Sequence, residues 1–216
     1  MMNKLNFAVV MLAAAFSLPA MAAGDAAAGE KKAVVCAACH GQDGNSPGGD
    51  FPSLAGQGEK YLAKQLADYK SGARKNAIMQ GQAAGLSEQD MADLAAFYAS
   101  KTIKGGSAKA DLVAVGERLY RGGNAASGVA ACAGCHGPAG QGIDAAGFPS
   151  LAGQHASYTE AQLRAFRAAG RKDIGAPAYR ANDADGEVLG MMQAVAAKMS
   201  DAEIQAVASY ISGLAK

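Results

Sequence analysis

The sequence contains no tryptophan, only three histidines and four cysteines, and no apolar run long enough to span a bilayer. Its longest one, Phe7 to Leu18, falls short of the roughly 20 residues a transmembrane helix needs. Neither sign of charge dominates, with 20 basic against 19 acidic residues, which argues against nucleic acid as a partner. Charged residues make up 18% and hydrophobic ones 50% of the 216 positions, so wholesale disorder is excluded and one large or two small globular domains are expected. What the chain has in quantity is glycine, 28 residues of it.

Lys4, the apolar stretch after it and Ala20-Met21-Ala22 read as a secretory signal peptide over residues 1–22, with an uncleaved anchor as the alternative. The exported chain then begins near Ala23 with 194 residues and 19 groups of each charge.

The remainder is a duplication. Cys36-Ala37-Ala38-Cys39-His40 returns as Cys132-Ala133-Gly134-Cys135-His136, and Phe51 to Gln57 returns letter for letter as Phe148 to Gln154. The offset is 96 residues at the cysteines and 97 from the Phe-Pro motif through Tyr61/Tyr158, Leu66/Leu163 and Tyr69/Phe166. It widens to 113 at Leu86-Ser87 against Met199-Ser200, so the second half carries about sixteen extra residues, in the polar stretch Asp173 to Val188. Gly105-Gly106-Ser107 reads as the linker, giving domains over 23–104 and 105–216.

Each half reads as all-α. Short helices are expected at Ala28 to Val35 and Val115 to Arg121, and longer ones at Glu59 to Ser71 and Ser157 to Ala169. The last helix of each half opens on a capping box, Ser87-x-x-Asp90 or Ser200-x-x-Glu203, ahead of apolar residues at helical spacing. No segment alternates with period two, so strands are not needed. Long glycine-rich loops separate the helices, and a domain this small holds such loops only around something large at its centre.

All four cysteines fall in C-x-x-C-H motifs, the pattern of covalent c-type haem attachment. Two thiols one helical turn apart reach the two haem vinyl groups, and the adjoining imidazole lies beneath the iron. Two covalently attached haem c groups are expected, at Cys36, Cys39 and at Cys132, Cys135, with His40 and His136 as proximal ligands. Disulfides or thiol exchange would leave the duplicated histidine unexplained, and zinc would lack four ligands per half.

One histidine, His155, remains for the opposite faces, so at least one iron needs another ligand, and a thioether suits an electron carrier. Of nine methionines, Met79 and Met192 alone occupy equivalent places, each seven residues before the Leu86-Ser87 or Met199-Ser200 landmark. Met191 is the neighbour that a one-residue shift of the loop would substitute, Met91 and Met199 read as packing, and His155 reads as a surface or helix-start residue. Pro52 and Pro149 follow the histidines by twelve and thirteen residues, a loop length that brings a carbonyl to the imidazole Nδ1–H, a turn proline being the plain alternative. Phe51, Phe148, Leu54 and Leu151 are candidates to wall the haems; Tyr61, Tyr158 and Arg74 are candidates to meet propionates.

These residues resemble those of the diheme cytochrome c4 family, tandems of two class I cytochrome c domains. The resemblance covers the whole exported chain and is carried by the doubled C-x-x-C-H with Phe-Pro-x-Leu-Ala-Gly-Gln, the Ala23 to Ala26 start, and Val195 to Lys198 after Met192. It implies an all-α fold of two such domains about a pseudo-twofold, with haem propionates near their interface. It further implies His40/Met79 and His136/Met192 as axial pairs and the Pro52 and Pro149 carbonyls as acceptors of the imidazole protons. As function it implies a periplasmic carrier linking a quinol–cytochrome c reductase to a terminal oxidase of the respiratory chain, often at the membrane surface, without substrate turnover of its own. The loop before Met79 is shorter than the family's usual one. Rival readings are a diheme peroxidase, which needs an open iron position that two matched methionines would deny, and the haem subunit of a dehydrogenase. A gas sensor would want an output domain.

Overall fold

The computed structural model describes residues 23–184, 186 and 188–215; the signal-peptide reading of residues 1–22 lies outside them. In chain order the helices are α1 (Ala26–Lys32, continued by a 3-10 turn at Ala33–Val35), α2 (Ala37–His40), α3 (Glu59–Ser71), α4 (Ala77–Ala83) and α5 (Glu88–Ala99). The second half repeats them as α6 (Ala110–Gly122), α7 (Ala133–His136), α8 (Ala156–Gly170), α9 (Met191–Ala196) and α10 (Asp201–Ser212). Isolated bridges pair Asn124 with Val129 and Ile143 with Phe148. No helix among the described residues is long and apolar enough to cross a membrane.

The first and last helices of each half cross at a glycine. A Cβ on Gly29 would lie 2.0 Å from the Asp93 carbonyl oxygen of α5, and one on Gly116 would lie 2.4 Å from that of Ala206 on α10. Only a residue without a side chain lets the backbones approach this closely. Both capping boxes form: Ser87 Oγ accepts the Asp90 N–H while the Asp90 carboxylate accepts the Ser87 N–H at 2.9 Å, and Ser200 and Glu203 pair in the same way.

The helices enclose two cores. Leu62, Leu94, Phe97 and Tyr98 form one; Leu119, Tyr120, Ile204, Val207 and Ile211 form the other. Met91 and Met199 are buried among these helices, at 5% and 1% exposure, as packing residues.

The repeated motif is anchored by the same backbone bonds in both halves. The Gly44 carbonyl accepts the Leu54 and Ala55 N–H groups, and the Gly140 carbonyl accepts those of Leu151 and Ala152. Both glycines have positive φ, 79° and 74°, a conformation other residues resist. The motif is then pinned to the last helix by Gly56 N–H to the Tyr98 carbonyl and Gly153 N–H to that of Ile211.

The sixteen extra residues of the second half divide into two parts. Arg74 N–H donates to the Asp68 carbonyl and Arg180 N–H to that of Ala165, which makes the two arginines equivalent. Nine of the added residues therefore precede Arg180 and seven follow it.

Candidate haem-binding sites

In each half the two cysteines and the histidine sit on a single helical turn, α2 or α7, and all four thiols are unpaired. The turn ends at a glycine of positive φ, Gly41 at 78° or Gly137 at 79°, which redirects the chain into the loop that leads to the proline. His40 and His136 are buried at 6% and 5% exposure. Their Nδ1 atoms lie 2.9 Å from the Pro52 carbonyl and 2.8 Å from the Pro149 carbonyl. A carbonyl can only accept, so Nδ1 carries the proton and Nε2 presents its lone pair. Burial lowers both imidazole pKa values, against the opposite pull of the proline carbonyls, and this favours the neutral form a metal requires. The rings of Phe51 and Phe148 stand edge-on to these imidazoles, with centroids 6.2 and 6.3 Å away.

The sequence-derived methionines lie on α4 and α9, short helices where the sequence suggested loops. Met79 N–H donates to Asn76 Oδ1 at 3.0 Å, and Met192 N–H donates to the Asp183 carboxylate at 2.7 Å. Both are half-buried, and Met192 packs on the second core, whereas Met191 is 63% exposed. No hydrogen bond joins either methionine to a histidine among the described residues, nor do three His, Cys, Asp or Glu groups converge there as a metal site.

Between the halves lies a polar cluster with a pronounced imbalance of charge. Arg74 and Arg180 are each 7% exposed. Arg74 donates to Gln65 Oε1, Tyr158 Oη and Gln162 Oε1 at 2.8 to 2.9 Å. Arg180 donates to Gln162 Oε1, Tyr61 Oη, Gln65 Oε1 and Asn182 Oδ1 at 2.8 to 3.1 Å. Arg74 also lies over the Tyr69 ring and Arg180 over that of the equivalent Phe166. Every one of these partners is neutral, and no ion pair among the described residues reaches either guanidinium. Burial opposes ionisation of Tyr61, but the facing Arg180 and Arg74 charges outweigh it and pull the phenol below its usual range. Two buried cations sharing the same amide oxygens call for an anion.

A haem group fits this chemistry. Its propionates would supply the anions, and its apolar edges would cover side chains now exposed beside the ligand positions: Val34 and Val35 before Cys36, Ile78 before Met79, and Val188 and Leu189 before Met192. The buried Tyr98 hydroxyl lies beside Cys36 at the attachment point.

Sequence reasoning identified Arg74, Tyr61 and Tyr158 but missed Arg180, Gln65 and Gln162. Gln65 and Gln162 stand at the 97-residue offset and were open to detection; Arg180 was hidden by the insertion. His155 is the residue preceding α8 and reaches across to the Ser46 carbonyl at 3.1 Å.

The chain matches the family described as cytochrome c twice, over residues 25–101 and 116–215. It is 51% identical over 213 residues to cytochrome c4 of Pseudomonas aeruginosa, covering 99% of this chain and all of that one. The crystal structure of reduced recombinant cytochrome c4 from Pseudomonas stutzeri superposes with a TM-score of 0.80 at 48% identity, covering 89% of this chain and all of the other. A protein of Thiomonas intermedia described as a thiosulfate dehydrogenase electron acceptor is 39% identical over 190 residues, 86% of this chain and 81% of its own length.

Proposed function

Because the chain belongs to the cytochrome c family, and within it to the diheme cytochrome c4 electron carriers with two haem c groups, we propose how its own residues hold those groups and where it works. Haem supplies a one-electron couple, ferric to ferrous. Cys36 and Cys39 tether one group and Cys132 and Cys135 the other. His40 and His136 would ligate the iron through Nε2 and the Met79 and Met192 thioethers would supply the other ligand of each, a combination that favours the ferrous state. The reading rests on one observation above all: two buried imidazoles, each with Nδ1 committed to a proline carbonyl at 2.9 or 2.8 Å.

The remaining roles follow. Pro52 and Pro149 fix the ring orientation and raise its basicity towards iron. Phe51, Phe148, Leu54 and Leu151 exclude water. Arg74, Arg180, Tyr61 and Tyr158 hold the propionates between the halves, with the domain junction at residues 104/105. Nothing binds or leaves during transfer, so rigid ligands and low reorganisation are the protein's contribution.

The site of action is the periplasm, and the partners are redox proteins of the respiratory chain, a quinol–cytochrome c reductase as donor and a terminal oxidase as acceptor. With charges balanced in each half, docking is brief and local. The Thiomonas relative favours a second reading, that of an acceptor for a periplasmic dehydrogenase.

The test is the mass and absorption spectrum of exported protein. Two haems are expected, with a sulfur-to-iron charge-transfer band that Met79→Ala and Met192→Ala each reduce by about half and that Met191→Ala leaves intact. A band insensitive to Met79 and Met192 overturns the ligand assignment.

A further inference from the structure

The two halves also meet through a pair of glutamines that the scheme above does not use. Gln57 and Gln154 end the repeated motif and are buried at 7% and 9% exposure. Gln154 Oε1 accepts the Ser53 N–H at 2.9 Å, and its Nε2 donates to the Ser53 carbonyl at 2.9 Å. Gln57 treats Ser150 the same way, accepting its N–H at 2.7 Å and donating to its carbonyl at 2.9 Å. Each Oε1 also accepts the next N–H of its own strand of chain, that of Gly58 or His155, at 3.0 or 3.1 Å. An oxygen surrounded by donors fixes which way the carboxamide points.

The peptide groups they grip are the ones that hold the histidines. Ser53 N–H and the Pro52 carbonyl are the two ends of one peptide group, and that carbonyl takes the His40 proton. Ser150 N–H and the Pro149 carbonyl are likewise one peptide group, engaged by His136. A continuous hydrogen-bonded path therefore runs from the imidazole of each half, through one peptide, to a glutamine of the other half. A peptide that donates at nitrogen becomes a stronger acceptor at oxygen, by about 10–30% per bond in condensed-phase estimates. A stronger acceptor draws the Nδ1 proton and makes Nε2 a better electron donor to iron.

We propose that Gln57 and Gln154 are positioning residues that act crosswise, Gln57 setting the donor strength of His136 and Gln154 that of His40. The inference rests on the electron-carrier reading and adds to it a physical link between the two centres. Better donation stabilises the ferric state, so loss of either glutamine raises the potential of the haem in the opposite half.

The experiment uses the two-haem protein and reads each haem's midpoint potential by NMR-monitored redox titration, with the histidine Nδ1–H shift in the fully reduced state. Gln57→Ala is expected to raise the second-half potential and move the His136 Nδ1–H upfield, leaving His40 and its haem unchanged; Gln154→Ala gives the mirror image. Gln57→Glu and Gln154→Glu keep the accepting oxygen and place charge on it, so the opposite-half potential falls below that of the parent. Ser157→Ala, which removes only the cross-half bond to the Gly49 carbonyl, moves neither centre. Equal shifts at both haems, shifts in the glutamine's own half, glutamate variants behaving like alanine ones, or Ser157→Ala reproducing the effect would each overturn the proposal. Should the alanine variants fail to fold, the glutamate pair decides alone: a crosswise fall in potential or a crosswise downfield shift supports it, and no crosswise change in either readout overturns it. The sulfur-to-iron band is recorded on the same samples. An intact band without crosswise shifts rejects this inference and leaves the carrier reading standing, whereas its absence from the unsubstituted protein rejects that reading itself.

Discussion

Asp93 is 3% exposed, yet its carboxylate accepts the Asp25 N–H and a Gln89 Nε2–H and meets the Lys32 ammonium. Those bonds, the Asp25 one foremost, hold it down to about 2. A carboxylate with a depressed folded-state pKa contributes stability that is complete above its unfolded value of about 3.9 and is lost as pH falls through the folded one. Between pH 5 and pH 2 the parent should thus lose stability more steeply than Asp93→Asn, in urea unfolding at each pH; parallel slopes would deny the linkage. Residue chemistry was unevenly legible in the sequence. Cysteine and histidine declare themselves because their spacing is local, one helical turn. Arg180 does not, since its kinship with Arg74 resides in a backbone bond to the carbonyl of Ala165 that no alignment across the insertion displays. Gln57 and Gln154 were visible as repeated letters, but their partners lie 93 and 101 residues away, in the other half.

Gly29 and Gly116 show how one residue type sets the placement of whole helices. Each lies where α1 meets α5 or α6 meets α10, and the facing carbonyl leaves no room for a methyl group. Gly116→Ala should force the crossing apart and destabilise the second half by about 1–3 kcal/mol, despite alanine's better helix propensity. Chemical denaturation of the haem-loaded protein measures this, and a stabilising effect would show that the two helices are free to slide. The capping boxes made α5 and α10 readable, as apolar periodicity did for α3 and α8. The helices bearing Met79 and Met192 were not readable, because seven and six residues are too few to be helical on propensity alone. They exist because Asn76 and Asp183 satisfy their first N–H groups and because they pack on α3 and α8.

Taken as a whole, the molecule joins its halves through polar groups, exposed at the rim and buried at the centre, where an arrangement of this kind binds only if every group is satisfied. Lys60 N–H and Nζ of the first half meet Asp144 and the Ala145 carbonyl of the second, while Lys64 and Asp68 engage Asn182. At the centre Gln65 and Gln162 each accept from both Arg74 and Arg180, so these two oxygens keep a pair of like charges together. The duplication made two similar domains legible in the sequence; their mutual fit was not, because it depends on contacts between positions that the repeat places far apart. If the shared oxygens bind the halves into one cooperative unit, calorimetric and van't Hoff enthalpies of the haem-loaded parent should agree. Replacing both with Gln65→Met and Gln162→Met removes the acceptors while keeping most of the volume, and leaves two buried guanidiniums short of partners. Each lost acceptor should cost about 1–3 kcal/mol at the interface. The variant's calorimetric enthalpy should then exceed its van't Hoff value as the halves melt separately, with two haems still bound. A single transition at the parent's midpoint would show that the halves are held by something other than this cluster.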